Sequence, residues 1–456
     1  MLRVRFRLVS AIFAVGALLL APPLVGMAGD VAWAQPPATP IPVPAPAATP
    51  EPDPADPFFD DTVLHDIKLT INTRDWEALK ANYLDNTVYP CYFAWTNQLI
   101  RNVGIRSRGL GSRSGVKPGL RVDFDYYSTS QKFLGLKSVV LRNNTQDPSN
   151  MRERVSMLFF RRLAMRASRE AHARLYINND YAGLYTIVES LDKTFLKKNF
   201  LEDDGHLYEY RFDVAAPLPY NFRYLGDDPA LYTPLPFKPQ TNESDPQGEF
   251  LARLFRTINE SSDAVWRTAL EEYLDIRRFI RHLAIENFLA DQDGLAGDYG
   301  PNNFYLYRYL NKSLFRFLPW DKSQAFWEAP SAAYSIFRNI EDGPDTHRNR
   351  LVVRAMKDTE LRELYLDTLL ECADSAVELP DPDSVPPPAF AELGWLDGEI
   401  KREYEQIRLA VASDTVKISS NGDFEKAYND MRHFAKSRSD AVRQQVAADR
   451  ARRGRR

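Results

Sequence analysis

The sequence predicts an α+β protein of two lobes, a β-rich amino-terminal one followed by a mostly helical carboxy-terminal one. Three observations predict it. Short apolar-alternating runs recur between residues 62 and 190, with one amphipathic stretch among them. Beyond Leu191 the apolar spacing becomes helical, and a single further strand pair interrupts that helical half.

The elements follow in order. "TVLHDIKLTI" alternates as a strand, and Thr73 caps a short helix, "RDWEALKANY". "TVYPCYFAW", "QLIRNVGIRSRG", "GLRVDFDY" and "KSVVLRNN" read as strands. "SNMRERVSMLFFRRLAMRA" carries Val155, Met157, Leu158, Phe159 and Leu163 at helical spacing. "HARLYINNDYAGLYTIVES" is a hairpin turning at Asn178-Asn179-Asp180. Then "QGEFLARLFRTIN", "AVWRTALEEYL" and "IRRFIRHLAIENFLAD" are helices, "NNFYLYRYL" and "LFRFLPWD" pair as strands, and the chain from Leu351 is helical apart from a proline-rich break. The expected division is a signal peptide over 1–34, a proline-rich linker over 35–57, the β-rich lobe over 58–190, the helical lobe over 191–447 and a disordered basic tail over 448–456.

The leader rests on Arg3, Arg5 and Arg7 before an apolar run from Leu8 to Leu20, with Ala32-Trp33-Ala34 as a small-x-small cleavage site. Pro22 and Pro23 argue against a membrane-spanning helix, so no span is expected after cleavage, and the mature chain is expected in the periplasm, at the surface or outside. A net charge of −4 over 456 residues argues against generic nucleic-acid binding. The two cysteines, Cys91 and Cys372, are too few for a disulfide framework and read equally as one bond or a free buried pair.

Against that mild net charge, one segment stands out. From Arg101 to Arg121 there are six basic side chains, five glycines and no acid. Gly109, Gly111 and Gly115 let backbone N–H groups converge on an anion, and Arg106, Arg108, Arg113 and Lys117 add charge around it. Phosphate rewards this arrangement most; the alternative is a turn with solvated arginines. A second cluster holds Asp291, Asp293 and Asp298 after a long helix, with Asn302-Asn303 opening a strand whose partner ends at Asp321. The hairpin returns Asp321 to the neighbourhood of Asn303, giving oxygen donors for a hard cation such as Mg2+. Solvated turns, or a carboxylate pair for glycoside cleavage, are the competing readings. The two clusters together follow the logic of phosphoryl transfer from a nucleotide such as ATP. In that logic an acid on the amphipathic helix, Glu153, pairs with a base from the sheet, Lys117; the competing reading is that Glu153 merely favours the helix N-terminus.

The segments "RSRGLGSRSGVKPGLRVDF", "FLGLKSVVLRNNTQDPSNMRERVSMLFFRRL", "ARLYINNDYAGLYTIVESLD", "NNFYLYR" and "FLPWD" resemble, in order, the signature motifs of the CotH family, over about Val103 to Phe326. The resemblance implies a bilobal protein-kinase-like fold and transfer of phosphate from ATP to protein side chains with a divalent metal. It makes Asp321 the metal-binding acid and Asn303 a second ligand. Asp293, or Asp291 beside it, becomes the catalytic acid. Arg106, Arg108, Ser112 and Lys117 face the phosphates, and Glu153 pairs with Lys117. Val188 and Glu189 form the hinge beside the adenine. The chain departs from the pattern at Ser323, where many relatives carry a second acid. That departure keeps a catalytically silent envelope protein, and transfer of another part of the nucleotide, as alternatives to the kinase.

Overall fold

The computed structural model describes residues 52–211, 220–342, 348–381, 384 and 389–455. The expected signal peptide and most of the expected linker, residues 1–51, lie outside the described residues. Among the described residues no helix is long and apolar enough to cross a membrane.

Seven strands build the amino-terminal part: β1 (His65–Ile71), β2 (Tyr89–Trp95), β3 (Gln98–Ser107), β4 (Leu120–Asp123), β5 (Ser138–Arg142), β6 (Glu170–Ile177) and β7 (Asp180–Glu189). They join in the order β1-β2-β3-β4-β5-β7-β6 and close, because β1 also pairs parallel with β6, Ile67 opposite Leu175. The expected bilobal protein-kinase-like architecture is thereby overturned: the strands form a closed barrel, which a typical kinase small lobe does not. The strand pattern itself carries no sign of closure, since an edge strand and a closing strand alternate alike. Inside, Ile67, Phe93, Val103, Ile105, Val122, Leu141 and Leu175 are fully buried, with Phe58 and Phe133 packed among them. The alternation of β1, buried at every second residue, is the signature of one face turned to that interior. At the β6–β7 turn Asn178 and Asn179 take φ of 51° and 74°, the left-handed pair that a two-residue hairpin requires.

Two helices decorate the barrel: α1 (Thr73–Ala81), capped by Asn72 rather than Thr73, and α2 (Arg152–Arg162) in the crossover between β5 and β6. Beyond the barrel come α3 (Lys193–Phe200), β8 (His206–Tyr210), β9 (Phe237–Pro239), α4 (Gly248–Glu260), α5 (Trp266–Glu271), α6 (Ile276–Phe288), β10 (Phe304–Arg308) and β11 (Phe315–Pro319). The expected β10–β11 hairpin belongs to a four-stranded sheet ordered β11-β10-β8-β9. Four helices finish the described chain: α7 (Arg350–Ala355), α8 (Thr359–Val377), α9 (Trp395–Ser413) and α10 (Asn421–Arg453). The last runs through most of the segment expected as a disordered tail. It opens on a capping box, Ser420 with Asp423, and Arg450, Arg452 and Arg453 suit the negative end of its dipole.

Three apolar clusters hold these parts together. One fills the barrel, a second lies among the helices, and a third joins barrel to sheet through Val140, Val188, Leu207, Tyr305, Leu318 and Trp320. Val140 and Val188 face outward because their neighbours Val139, Leu141 and Ile187 already face the barrel interior. This third cluster brings the ends of β5 and β11 side by side. Cys91 and Cys372 are free and buried in different clusters.

Candidate functional site

At the end of β11 the backbone of Asp321 turns left-handed, φ 48°, and its carboxylate meets the end of β5. Arg142 Nη1 donates to Asp321 Oδ2 at 2.7 Å, and Ser323 Oγ donates to Oδ1 at 2.8 Å. The same Arg142 guanidinium pairs with Glu153, in the first turn of α2. Arg142 is therefore the sheet base that the sequence reading assigned to Lys117. Burial pushes the Asp321 acid up, but the adjacent Arg142 outweighs it and holds the carboxyl below its ordinary value. For Glu153 burial wins: its pKa rises to about 8, with Arg142 opposing and the charge of Asp321 adding. Glu170, fully buried next to it, is raised by burial and by the like charge of Glu153.

The other half of the site is the loop after α6. Asp293 accepts from Asn302 Nδ2 at 3.0 Å and from Asn303 Nδ2 at 2.8 Å. Asn303 adopts φ 56°, a conformation asparagine tolerates, and its carbonyl accepts from the Trp320 amide at 3.2 Å. The hairpin thus ties the Asp293 loop to the Asp321 end, as its connectivity predicts. Burial raises Asp293 to about 7, and the negative charges of Asp291 and Asp321 add to the rise.

Asp291 does a different job. Its side chain is inaccessible and accepts from Lys322 Nζ at 3.0 Å, while the same ammonium meets Glu286 at 2.5 Å. His282 lies 2.9 Å from Glu286, whose other oxygen accepts from the Leu295 amide at 2.7 Å. Glu286 is raised by burial, yet Lys322 and His282 together lower it to about 2. This buried knot braces the loop from below. Of the two acids left open by the sequence, Asp293 has the freer surroundings. Asp298 is taken by Arg338 at 2.8 Å.

The basic segment divides. The Arg108 guanidinium lies 5.0 Å from the ring centre of Trp320 and that of Arg142 5.3 Å, so the indole carries two cations beside Asp321. Arg106 Nη1 donates to the Ser107 carbonyl at 3.5 Å. Burial lowers the pKa of Arg106, and the neighbouring Arg121, Arg108 and Arg113 push the same way, which marks a local excess of positive charge. Arg113 is spent on the loop, donating to the carbonyls of Gly109, Tyr83 and Asp85. Ser112 presents its carbonyl to Asn143 Nδ2 at 2.9 Å. Lys117 departs from expectation altogether: it is 1 % exposed and its ammonium lies 2.7 Å from Asp414 and 2.8 Å from the Leu184 carbonyl. Its acidic partner is Asp414, which also accepts from the Leu184 amide on β7 at 3.0 Å, and not Glu153 or Asp321. At the expected hinge Val188 is buried in the third cluster, and the Glu189 carboxylate is engaged by Arg169 at 2.5 Å.

Sequence reasoning missed Arg142, Lys322 and Glu286. Arg142 had one legible signal, a cation closing an otherwise apolar strand; Lys322 and Glu286 had none beyond adjacency to acids already singled out.

Comparison with known proteins places the chain in a family. The CotH kinase protein family matches residues 105–379, more than half of the sequence, and the chain belongs to it. One relative is "Inner spore coat protein H" of Bacillus subtilis (strain 168), 24 % identical over 391 residues that cover 83 % of this chain and 97 % of that protein. The matched span contains Arg142, Glu153, Asp293, Asn303 and Asp321.

Proposed function

We propose that this protein is a phosphotransferase that moves the γ-phosphoryl group of ATP onto hydroxyl side chains of a protein. The observation carrying this reading is the convergence of Asp293, Asn303 and Asp321 with Arg142 and Arg108 at one edge of the barrel–sheet junction. Two acids, an amide and two guanidinium groups match the needs of phosphoryl transfer, where positioning and charge neutralisation do most of the work.

Among the described residues no group of three or more His, Cys, Asp or Glu gathers as a metal site. The donors at hand are oxygens only, from Asp321 and Asn303, few enough that substrate phosphates would complete the shell of Mg2+, which fits that ion. When bound, a divalent cation would neutralise phosphate charge. The remaining work falls to the chain. Arg108 and Arg142 orient the phosphates. Asp293 accepts the proton of the attacking hydroxyl while a bond forms from that oxygen to the γ-phosphorus and the bond to the bridging oxygen breaks, releasing ADP. Asn302 and Asn303 hold Asp293 in its working rotamer.

Ser323 favours a second reading, a catalytically silent binding protein, because it supplies a hydroxyl hydrogen bond to Asp321 where a second acid would add a metal ligand. The name of the spore-coat relative and the leader-like residues 1–34 support an exported role in a coat or envelope. The experiment is incubation of the full chain with MgATP and a Ser-rich acceptor protein, read by intact mass. A phosphate-sized increment, lost in Asp321→Ala, supports the kinase. A nucleotide-sized increment, or thermal stabilisation by MgATP with no increment, rejects it in favour of nucleotide transfer or silent binding respectively.

A further inference from the structure

Helix α9 lies wholly beyond the family match, which ends at residue 379, yet two of its charged contacts reach elements of the candidate site. The first is to α2. Arg154 follows Glu153 in sequence and therefore points about 100° away around the helix. While Glu153 faces Arg142, Arg154 is inaccessible and meets Glu399 at 2.5 Å, Glu403 at 2.8 Å and Asp61 at 2.8 Å. Glu403 also pairs with His172 on β6. The second contact is at the other end of α9. Asp414, its C-cap, accepts from the Leu184 amide at 3.0 Å and from Lys117 at 2.7 Å. Gly183 makes that approach possible: at φ +111° it has no Cβ, and one built there would sit 2.5 Å from an Asp414 oxygen.

We propose that α9 is a built-in positioning element with two separable duties. Glu403, through Arg154, sets the rotation of α2 and hence the Glu153–Arg142–Asp321 array. Asp414, through Lys117, sets the basic segment that carries Arg106 and Arg108. The residues are positioning residues: none touches the reacting atoms. Breaking a buried charge pair on one side only would leave a stranded ion, so such a clamp holds one arrangement at high cost to others. Its separate ends make the two halves of the site independently adjustable, and this assignment rests on the phosphotransfer reading only where kinetics are used to read it.

The test compares Lys117→Met/Asp414→Asn with Arg154→Met/Glu403→Gln in the full chain, using MgATP as the probe. The first double variant removes both charges of its pair, and the amide introduced by Asp414→Asn keeps an acceptor for the Leu184 N–H; the second leaves Glu399 and Asp61 with Arg402 as their remaining cation, at 2.6 Å and 3.7 Å. The first is expected to raise KM for ATP about tenfold with kcat within about twofold, the second to lower kcat about tenfold with KM little changed. Hydrogen exchange is expected to quicken over 109–118 in the first and over 152–162 in the second, with β1 to β3 unchanged. Should the first double variant fail to fold, Asp414→Asn alone, in which Lys117 keeps the Leu184 carbonyl as an acceptor, is expected to give a smaller KM-only rise, about threefold. Parallel losses of kcat and KM in both variants, or exchange unchanged in the named segments, would overturn the proposal. Absence of turnover by the unaltered protein overturns the phosphotransfer reading instead, and the exchange pattern still decides the clamp.

Discussion

Replacing Arg142 by Met removes the cation shared by Asp321 and Glu153, and the structure sets what this costs. Asp321 carries its charge at neutral pH, since Arg142 keeps it below the ordinary carboxylate value. Stranding it after loss of a buried partner costs about 3 kcal/mol, the lower end for such pairs because Ser323 still donates to it. Glu153 adds little at pH 7, because with its pKa raised to about 8 by burial it is mostly protonated there. At pH 9 it is ionised in the intact protein and stabilised by Arg142. In the variant it must stay protonated, adding up to about 1.4 kcal/mol for the one unit between 8 and 9. Urea denaturation of Arg142→Met at both pH values reads the two costs directly. Adding Glu153→Gln should abolish the extra loss at pH 9 and leave the pH 7 loss nearly intact. An Arg142→Met protein within about 1 kcal/mol of the parent at both pH values would refute the buried ion triad.

Lys322→Met strands Glu286 and Asp291 together and should destabilise by about 3–5 kcal/mol in denaturant titration; a loss under about 1 kcal/mol contradicts the brace beneath the loop. Glu286 has its folded pKa depressed to about 2, so its contribution is full above its ordinary 4.5 and is lost as pH falls from there toward 2. Glu286→Gln should therefore flatten the acid limb of the stability profile in that window, and an unchanged limb argues against the assignment. Asp293→Asn should lower kcat by about 10²–10⁴-fold, with thermal stability close to the parent's; retained turnover would remove Asp293 from the chemistry.

The local elements were legible because their causes are local. Strand alternation in "TVLHDIKLTI", the Asn-Asn turn and the helical spacing of "MRERVSMLFF" each need only a few neighbouring residues. Barrel closure was not legible, because the β1–β6 pairing joins residues about a hundred positions apart and leaves no periodicity of its own. The candidate site divides on the same line. Asp321 and Asn303 share one hairpin, so connectivity alone brought them together. Glu153 was recognised as an acid needing a base, but the base comes from β5. Arg142 and Lys117 are both cations on the sheet side, and only the burial of Lys117 against Asp414, 297 positions away, tells them apart.

The most direct test of the central claim is label transfer from ATP carrying the label on either its γ- or its α-phosphate, using the full chain, Mg2+ and a Ser-rich acceptor, with Asp321→Asn in parallel. The account predicts acid-stable label on protein from the γ-position alone, absent in the variant. Label from the α-position, or γ-label undiminished by Asp321→Asn, would contradict it.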